Sequence, residues 1–165
     1  MKKKYLLIIY DNLKTLIIAL LIAILIRSLL FQPFYIPSSS MEPTLLVGDR
    51  IFVAKYIYGY SKHSFPFSPN ISNKRYFSKI PERGDLVVFK TPADNRTDYI
   101  KRLIGMPGDT IQFINGDLFI NEKKVQRKKI KNSQIIRCGN FYLDTYTFLE
   151  TLPNGVKHFA SYKKR

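Results

Sequence analysis

The sequence predicts a mainly β domain of several antiparallel strands behind one N-terminal transmembrane α-helix. Three observations predict it. Residues Thr15 to Phe31 form an apolar run interrupted only by Thr15, Arg27 and Ser28. From Asp49 onward, helical periodicity gives way to short strand-like runs, two of them introduced by Gly-Asp pairs. Two further runs flank Asn115-Gly116, the strongest short signal for a hairpin with a type I′ turn. A length of 165 residues allows one domain plus an anchor, not two large domains.

The anchor comes first. As a helix, the 17 residues from Thr15 to Phe31 reach roughly 25 Å, close to the thickness of a hydrocarbon core. Arg27 then snorkels toward the far interface. Lys2, Lys3, Lys4 and Lys14 precede the run against a single acid, Asp11, so the positive-inside bias holds residues 1–14 in the cytoplasm and sends 32–165 outward. The alternatives are a cleaved secretory signal and a buried core helix. A cleaved signal ends in small residues, whereas Ala23 is followed by Ile-Leu-Ile-Arg-Ser-Leu-Leu-Phe, and the sequence reads as an uncleaved signal anchor.

Nine residues beyond Phe31 stands Ser40, within Ile36-Pro37-Ser38-Ser39-Ser40-Met41-Glu42-Pro43-Thr44-Leu45-Leu46-Val47-Gly48-Asp49. The two prolines fix φ and push Ile36 and Glu42 toward extended geometry, so an extended or turn-rich path is favoured over a helix. A serine on such a path can present its Oγ to a neighbour while nearby N–H groups stay free for an oxyanion. An ordinary polar loop has the same composition.

The predicted strands follow: Arg50 to Ala54, Asp85 to Phe89, Thr110 to Ile114 and Asp117 to Ile120. Between the first two, Tyr56, Tyr58, Tyr60, Phe65, Phe67, Tyr76 and Phe77 mix with Lys62, Lys74, Arg75 and Lys79. That mixture suits a membrane interface, a cover for a sheet, or a platform for nucleic-acid bases, the last without any accompanying RNA-binding signature. On a strand, Tyr99, Lys101 and Leu103 share one face. An aromatic and a leucine beside Lys101 can desolvate its ammonium and favour the neutral amine that a general base must be. Arg102 cannot serve, because a guanidinium stays protonated. After the hairpin, Lys123, Lys124, Arg127, Lys128, Lys129 and Lys131 read as a solvated strand-loop face rather than a nucleic-acid patch, since no aromatics are interleaved with them.

The remaining composition sets bounds. A formal charge of +15 calls for an anionic neighbour, and beside an anchor, membrane headgroups are the simplest one. The single cysteine, Cys138, excludes an intramolecular disulfide. His63 and His158 lie far apart and no Cys/His cluster has zinc spacing, so neither a metal nor another cofactor is expected.

Pro37-Ser38-Ser39-Ser40-Met41-Glu42-Pro43-Thr44-Leu45 resembles the nucleophile box of bacterial type I signal peptidases. Tyr99-Ile100-Lys101-Arg102 with Gly105-Met106-Pro107-Gly108-Asp109 resembles their lysine box, and Arg83-Gly84-Asp85-Leu86-Val87-Val88-Phe89 the box before it. The resemblance implies a membrane-bound serine endopeptidase with a Ser-Lys dyad, in which Lys101 takes the proton of Ser40. Ser38 and the Ser40 N–H would form the oxyanion hole. Ile36, Met41, Leu45, Tyr99 and Ile100 would line shallow pockets for the small residues of preprotein signal peptides. It further implies a single-pass protein of the bacterial cell membrane, its peptidase domain on the outer side, with membrane lipids as neighbours and no nucleic-acid partner. A Ser-His-Asp arrangement through His63 or His158 is the poorer reading. Family members carry one more box, Gly-Asp-Asn-Arg-Asp-Asn-Ser, after the lysine. This chain has none there, and Ala93-Asp94-Asn95-Arg96-Thr97-Asp98 precedes Lys101 and lacks the leading glycine. The expectation is a chain truncated before that box, with 32–165 incomplete at its C-terminus. The alternative function is an inactive homologue acting as a membrane-anchored binding or chaperone-like protein.

Overall fold

The computed structural model describes residues 2–65, 68–69, 72, 74–138 and 141–163. It is mainly antiparallel strands with a single N-terminal apolar helix, as the sequence predicts. The helix α1 spans Lys2–Leu29. The strands are β1 Phe31–Tyr35, β2 Arg50–Ala54, β3 Leu86–Lys90, β4 Asp98–Arg102, β5 Ile111–Ile114, β6 Asp117–Ile120, β7 Lys123–Lys124, β8 Gln126–Cys138, β9 Phe141–Thr151 and β10 Lys157–Lys163. β1 pairs with β2, β3 with β4, and the two three-stranded sheets have the orders β5-β6-β7 and β10-β9-β8. The chain divides into two units, Met1–Phe34 with Phe52–Ile80 and Tyr35–Ile51 with Pro81–Arg165.

In the first unit, α1 carries a 25-residue stretch, Tyr5–Leu29, long and apolar enough to cross a membrane and exposed along its length up to Arg27, with Ser28 buried and Leu29 half-buried at its end. The helix starts earlier than the apolar run, because Leu6, Leu7, Ile8, Ile9 and Leu13 continue the apolar helix formers toward the N-terminus around Asp11 and Lys14. It stops at Leu29, so Phe31 belongs to β1, where Pro33 fits a strand far better than a helix interior. The end is closed by the chain itself. Tyr60 Oη donates to the Leu29 carbonyl at 2.8 Å and Lys55 N to the Leu30 carbonyl at 2.9 Å, satisfying acceptors that a helix terminus leaves open.

The aromatic segment is therefore partly structural. Tyr60 and Tyr76 exchange backbone hydrogen bonds, and Phe31 stacks edge-on against Tyr56 with centroids 5.9 Å apart. Yet Tyr56, Phe65, Tyr76 and Phe77 remain exposed, Phe77 by 89%. Phe67 lies outside the described residues.

The second unit is laid out by three copies of one turn. Leu46-Val47-Gly48-Asp49, Glu82-Arg83-Gly84-Asp85 and Met106-Pro107-Gly108-Asp109 each have a glycine at positive φ, +102°, +101° and +90°. In each, the aspartate N–H donates to the carbonyl three residues back, at 3.1, 3.1 and 2.9 Å. Its carboxylate in turn accepts from that residue's N–H at 2.8, 2.8 and 2.6 Å. A positive φ at the third position is the type II signature and explains the glycine; proline suits the position before it. These turns feed β2, β3 and β5. Asp85, predicted as the first residue of a strand, is instead held in a turn by its own side chain. Thr110 stays outside β5 because its N–H goes to the Asn121 side chain at 2.9 Å.

Asp109 gathers more than its own turn. Arg83 Nη2 donates to it at 2.7 Å and Asn121 Nδ2 at 2.8 Å, while Arg83 Nη1 reaches the Ile104 carbonyl at 2.7 Å. These donors, the Met106 N–H foremost, hold its carboxyl below the usual carboxylate range. The Asn115-Gly116 hairpin forms with both residues at positive φ, 52° and 81°, as a type I′ turn requires. Leu118, Ile120, Val125 and Leu152, with Ile104 against them, make the core.

The sheet β10-β9-β8 revises the reading of the basic run. Arg127 pairs across the ladder with Glu150 and Glu150 with His158. The Arg127 guanidinium lies over Phe148 and Tyr162 at 4.6 and 4.9 Å and pairs with Asp117, and Lys129 Nζ sits 3.6 Å from the Tyr146 ring centroid. An aromatic platform thus exists, supplied by β9 and β10 rather than interleaved in sequence. Lys123, Lys124 and Lys128 are exposed; the side chain of Lys131 lies outside the described residues. Under Arg127, Glu150 is 2% exposed, accepting from Tyr162 Oη at 2.5 Å and facing His158 Nε2 at 3.3 Å.

Two predictions follow from this packing. A Cβ at Gly84 would meet Val156 Cγ1 at 2.7 Å, whereas one at Gly108 meets nothing within 4 Å. Urea unfolding of the detergent-solubilised chain should show Gly108→Ala costing about 1–2 kcal/mol for backbone conformation alone. Gly84→Ala should cost more, and Val156→Ala should recover part of the excess; equal losses would contradict the steric account. At Glu150, burial opposes ionisation, but the hydrogen bonds from His158 and Tyr162 together with the charges of His158 and Arg127 outweigh it and hold the carboxyl below its ordinary value. Its contribution is therefore complete above the ordinary carboxylate range and lost as pH falls through the folded value. Glu150→Gln should cost roughly 2 kcal/mol at neutral pH and flatten the acid-side decline of the stability profile.

Candidate active site

The site is built wholly within the second unit. Its base is the backbone of Ile36, whose N–H donates to the Asp49 carbonyl at 2.9 Å and whose carbonyl accepts from Gly48 N–H at 2.9 Å. Residues 36–49 are thereby closed into a loop. The first of the three Gly-Asp turns forms one end of it. Within the loop Ser38 is extended, with φ −134° and ψ 151°, and Ser39–Met41 form a single 3₁₀ turn. Glu42 is extended before Pro43, and the Glu42–Pro43 bond is cis. Met41 is buried and its carbonyl accepts from both Thr44 and Leu45 N–H, at 2.9 and 3.0 Å. The turn-rich path expected between the prolines is thus present, pinned inside by Met41 and Ile36.

With Met41 turned inward, Ser40 faces out. β4 packs against this turn and so does β8. In the β3-β4 hairpin Lys101 stands opposite Val87, and Tyr99 opposite Phe89, whose rings meet edge-on at 6.2 Å. From there Lys101 Nζ donates to Ser40 Oγ at 2.7 Å and to the Ile100 carbonyl at 2.9 Å, and lies 5.5 Å from the Tyr99 ring centroid. Ser38 Oγ is 3.3 Å from Ser40 Oγ. Three polar side chains that the sequence separates by up to 63 positions, Ser38, Ser40 and Lys101, therefore converge on one point. The cluster is open to solvent, with Ser38 and Ser40 exposed and Lys101 half-buried.

The expected pocket residues divide by burial. Ile36 and Met41 are buried at 2% and 8% exposure, Leu45 and Ile100 are half-buried, and Tyr99 is exposed. Arg102, the neighbour of Lys101, turns its guanidinium to the Gly84 carbonyl at 2.6 Å, and burial lowers its pKa. The histidines are engaged elsewhere: His63 Nδ1 lies 3.2 Å from Ser68 Oγ and His158 faces Glu150. Among the described residues no group of His, Cys, Asp and Glu side chains could hold a metal ion. Sequence reasoning missed Asp49, whose carboxylate shapes the end of the serine loop. The signal was available in the recurrence of x-x-Gly-Asp, which the sequence holds four times, three of them in this turn and the fourth at the Asn115-Gly116 hairpin.

A chain with this constellation can be compared with known proteins. The family model "Signal peptidase, peptidase S26" matches residues 9–160. Signal peptidase I of Rickettsia felis is 49% identical over 145 residues, which cover 86% of this chain and 52% of the relative. Signal peptidase I of Rickettsia canadensis is also 49% identical over 145 residues, with the same coverage. That of Rickettsia bellii strain OSU 85-389 is 43% identical over 152 residues, 91% of this chain and 51% of the relative. The chain spans about half the length of the curated relatives it matches. On the extent of the family match and the identity with these relatives, the chain belongs to the signal peptidase family, peptidase S26.

Proposed function

We propose that this chain is a membrane-anchored serine endopeptidase that removes signal peptides from preproteins through Ser40 and Lys101. The observation that carries the reading is the 2.7 Å contact between Ser40 Oγ and Lys101 Nζ. In the neutral amine the same contact runs the other way, the Ser40 hydroxyl donating to Nζ while an N–H of Nζ keeps its bond to the Ile100 carbonyl. Lys101 then takes the Ser40 proton as Oγ attacks the scissile carbonyl. A tetrahedral oxyanion forms, stabilised by the Ser38 hydroxyl and the Ser40 N–H. The protonated lysine returns its proton to the leaving amine, and water deprotonated by the same group releases the acyl-enzyme.

Exposed Tyr99 and half-buried Ile100 and Leu45, backed by buried Ile36 and Met41, offer shallow apolar walls that favour small residues at −1 and −3. Tyr5–Leu29 serves as the membrane anchor. The basic N-terminus stays in the cytoplasm, which puts the peptidase unit on the outer face of a bacterial cell membrane. Signal peptides are the partners in this reading, and lipids the surroundings.

Cleavage of a preprotein by membranes carrying the full chain tests it. Ser40→Ala and Lys101→Met should each lower the rate by about 10³-fold or more. Ser38→Ala should lower kcat by roughly 10²-fold with little change in KM, because it removes a donor used only at the transition state. If the unmodified chain cleaves no faster than Ser40→Ala, the peptidase reading is lost and a membrane-anchored binding role takes its place.

A further inference from the structure

The geometry points to a phospholipid site at the C-terminal end of α1, a groove that takes one acyl chain of an anionic phospholipid and sets its phosphate on Arg27. The groove has a volume of about 670 Å³ and is walled by Ala23 and Ile26 of α1, Phe31 and Pro33 of β1, Phe52 of β2, and Arg27. Such a volume is in the range of small-ligand clefts, about 300–1,000 Å³. Ala23, Ile26 and Arg27 are spaced i, i+3 and i+4, so they present one helix face. Ala23 is the smallest of them and leaves the space open beside Arg27.

Five of the six walls are apolar and the sixth is a cation. Arg27 is exposed, and among the described residues no carboxylate pairs with it. It stands two positions before the end of Tyr5–Leu29, the stretch able to span a bilayer. That position is the interfacial level, where a guanidinium meets lipid phosphate while the apolar walls reach back toward the chains. Phe52, 76% exposed, extends the apolar surface at the groove's rim.

Other occupants fit less well. A second copy of α1 packed symmetrically would bring two Arg27 side chains together without an anion. The apolar core of a signal peptide satisfies the walls but brings no negative charge to Arg27, and its flank is basic. A phospholipid supplies both halves, and an anionic one adds net charge complementarity.

The experiment uses the full chain in nanodiscs of phosphatidylcholine and phosphatidylglycerol, with a photoactivatable diazirine in the acyl chain of one lipid or the other. Cross-linked peptides are mapped by mass spectrometry. Expected is labelling concentrated at Phe31 to Pro33 and at Phe52 with the phosphatidylglycerol probe, about fivefold above the phosphatidylcholine probe. Arg27→Gln should remove that preference, and Ala23→Phe, which fills the groove and keeps the cation, should remove the labelling. Ser40→Ala should label like the unmodified chain, so the outcome is independent of peptidase activity. Labelling spread evenly along α1, equal labelling by both lipids, or displacement by an added signal peptide would each overturn the assignment.

Discussion

The architecture of the second unit depends on one local device, the reciprocal turn x-x-Gly-Asp. In it, a glycine at positive φ reverses the chain, and the aspartate closes the turn twice, once through its N–H and once through its carboxylate. A carboxylate accepting a backbone N–H is a charge-assisted bond, stronger than a neutral one. Each copy ends a loop and delivers the chain into a strand with a fixed exit. Where β3 and β4 continue their ladder past the strands, through Gly84 N to Leu103 O and Leu103 N to Asp85 O, the turn itself is part of the sheet.

Two of these turns bear on the chemistry. The one at Leu46 to Asp49 closes the serine loop against Ile36, and the one at Glu82 to Asp85 starts the strand that pairs with the lysine strand. Ser40 is thus carried on a short loop tied at both ends, and Lys101 on the second arm of a hairpin. Their separation is set by backbone hydrogen bonds rather than by the side chains' mutual attraction. A Ser-Lys contact made by two long flexible arms would lose much of its free energy to side-chain ordering. Here the serine side is short and the lysine end is further held by the Ile100 carbonyl.

What was legible in the sequence followed the range of the forces involved. Asn115-Gly116 specifies its turn by backbone sterics alone, and the structure has it. The apolar run from Thr15 announces a helix, and the helix itself runs from Lys2 to Leu29, since charges such as Asp11 and Lys14 on an exposed helix surface cost little helical propensity. The serine loop and the strand bearing Lys101 were recognisable as two segments, yet only folding shows Ser38, Ser40 and Lys101 within one cluster. The long strands β8 to β10 escaped notice for a different reason. Arg127 and Lys129 of β8 lie against aromatic rings of β9 and β10, a tertiary effect that no window along one strand contains. Desolvation of Lys101 by Tyr99 and Leu103 is an argument about one strand face; in the fold Lys101 is half-buried, with Nζ 5.5 Å from the Tyr99 ring centroid.

The same internal use of carboxylates shapes the outer surface. The chain has 12 acidic residues against 27 Lys and Arg. Asp49, Asp85 and Asp109 are committed to the three turns, and Asp94 to its own loop through Thr97 and Arg96, which lower its pKa to about 2. Asp98 pairs with Lys90, Asp117 with Lys124 and Arg127, and Glu150 lies buried with His158 and Tyr162. Five of these seven carboxylates, Asp49, Asp85, Asp94, Asp109 and Glu150, accept from backbone N–H groups or from a neutral side chain. Lys123, Lys128, Lys157 and Lys163 are exposed. With 27 Lys and Arg against 12 acids, the chain as a whole is strongly positive, a balance that draws anionic neighbours toward it.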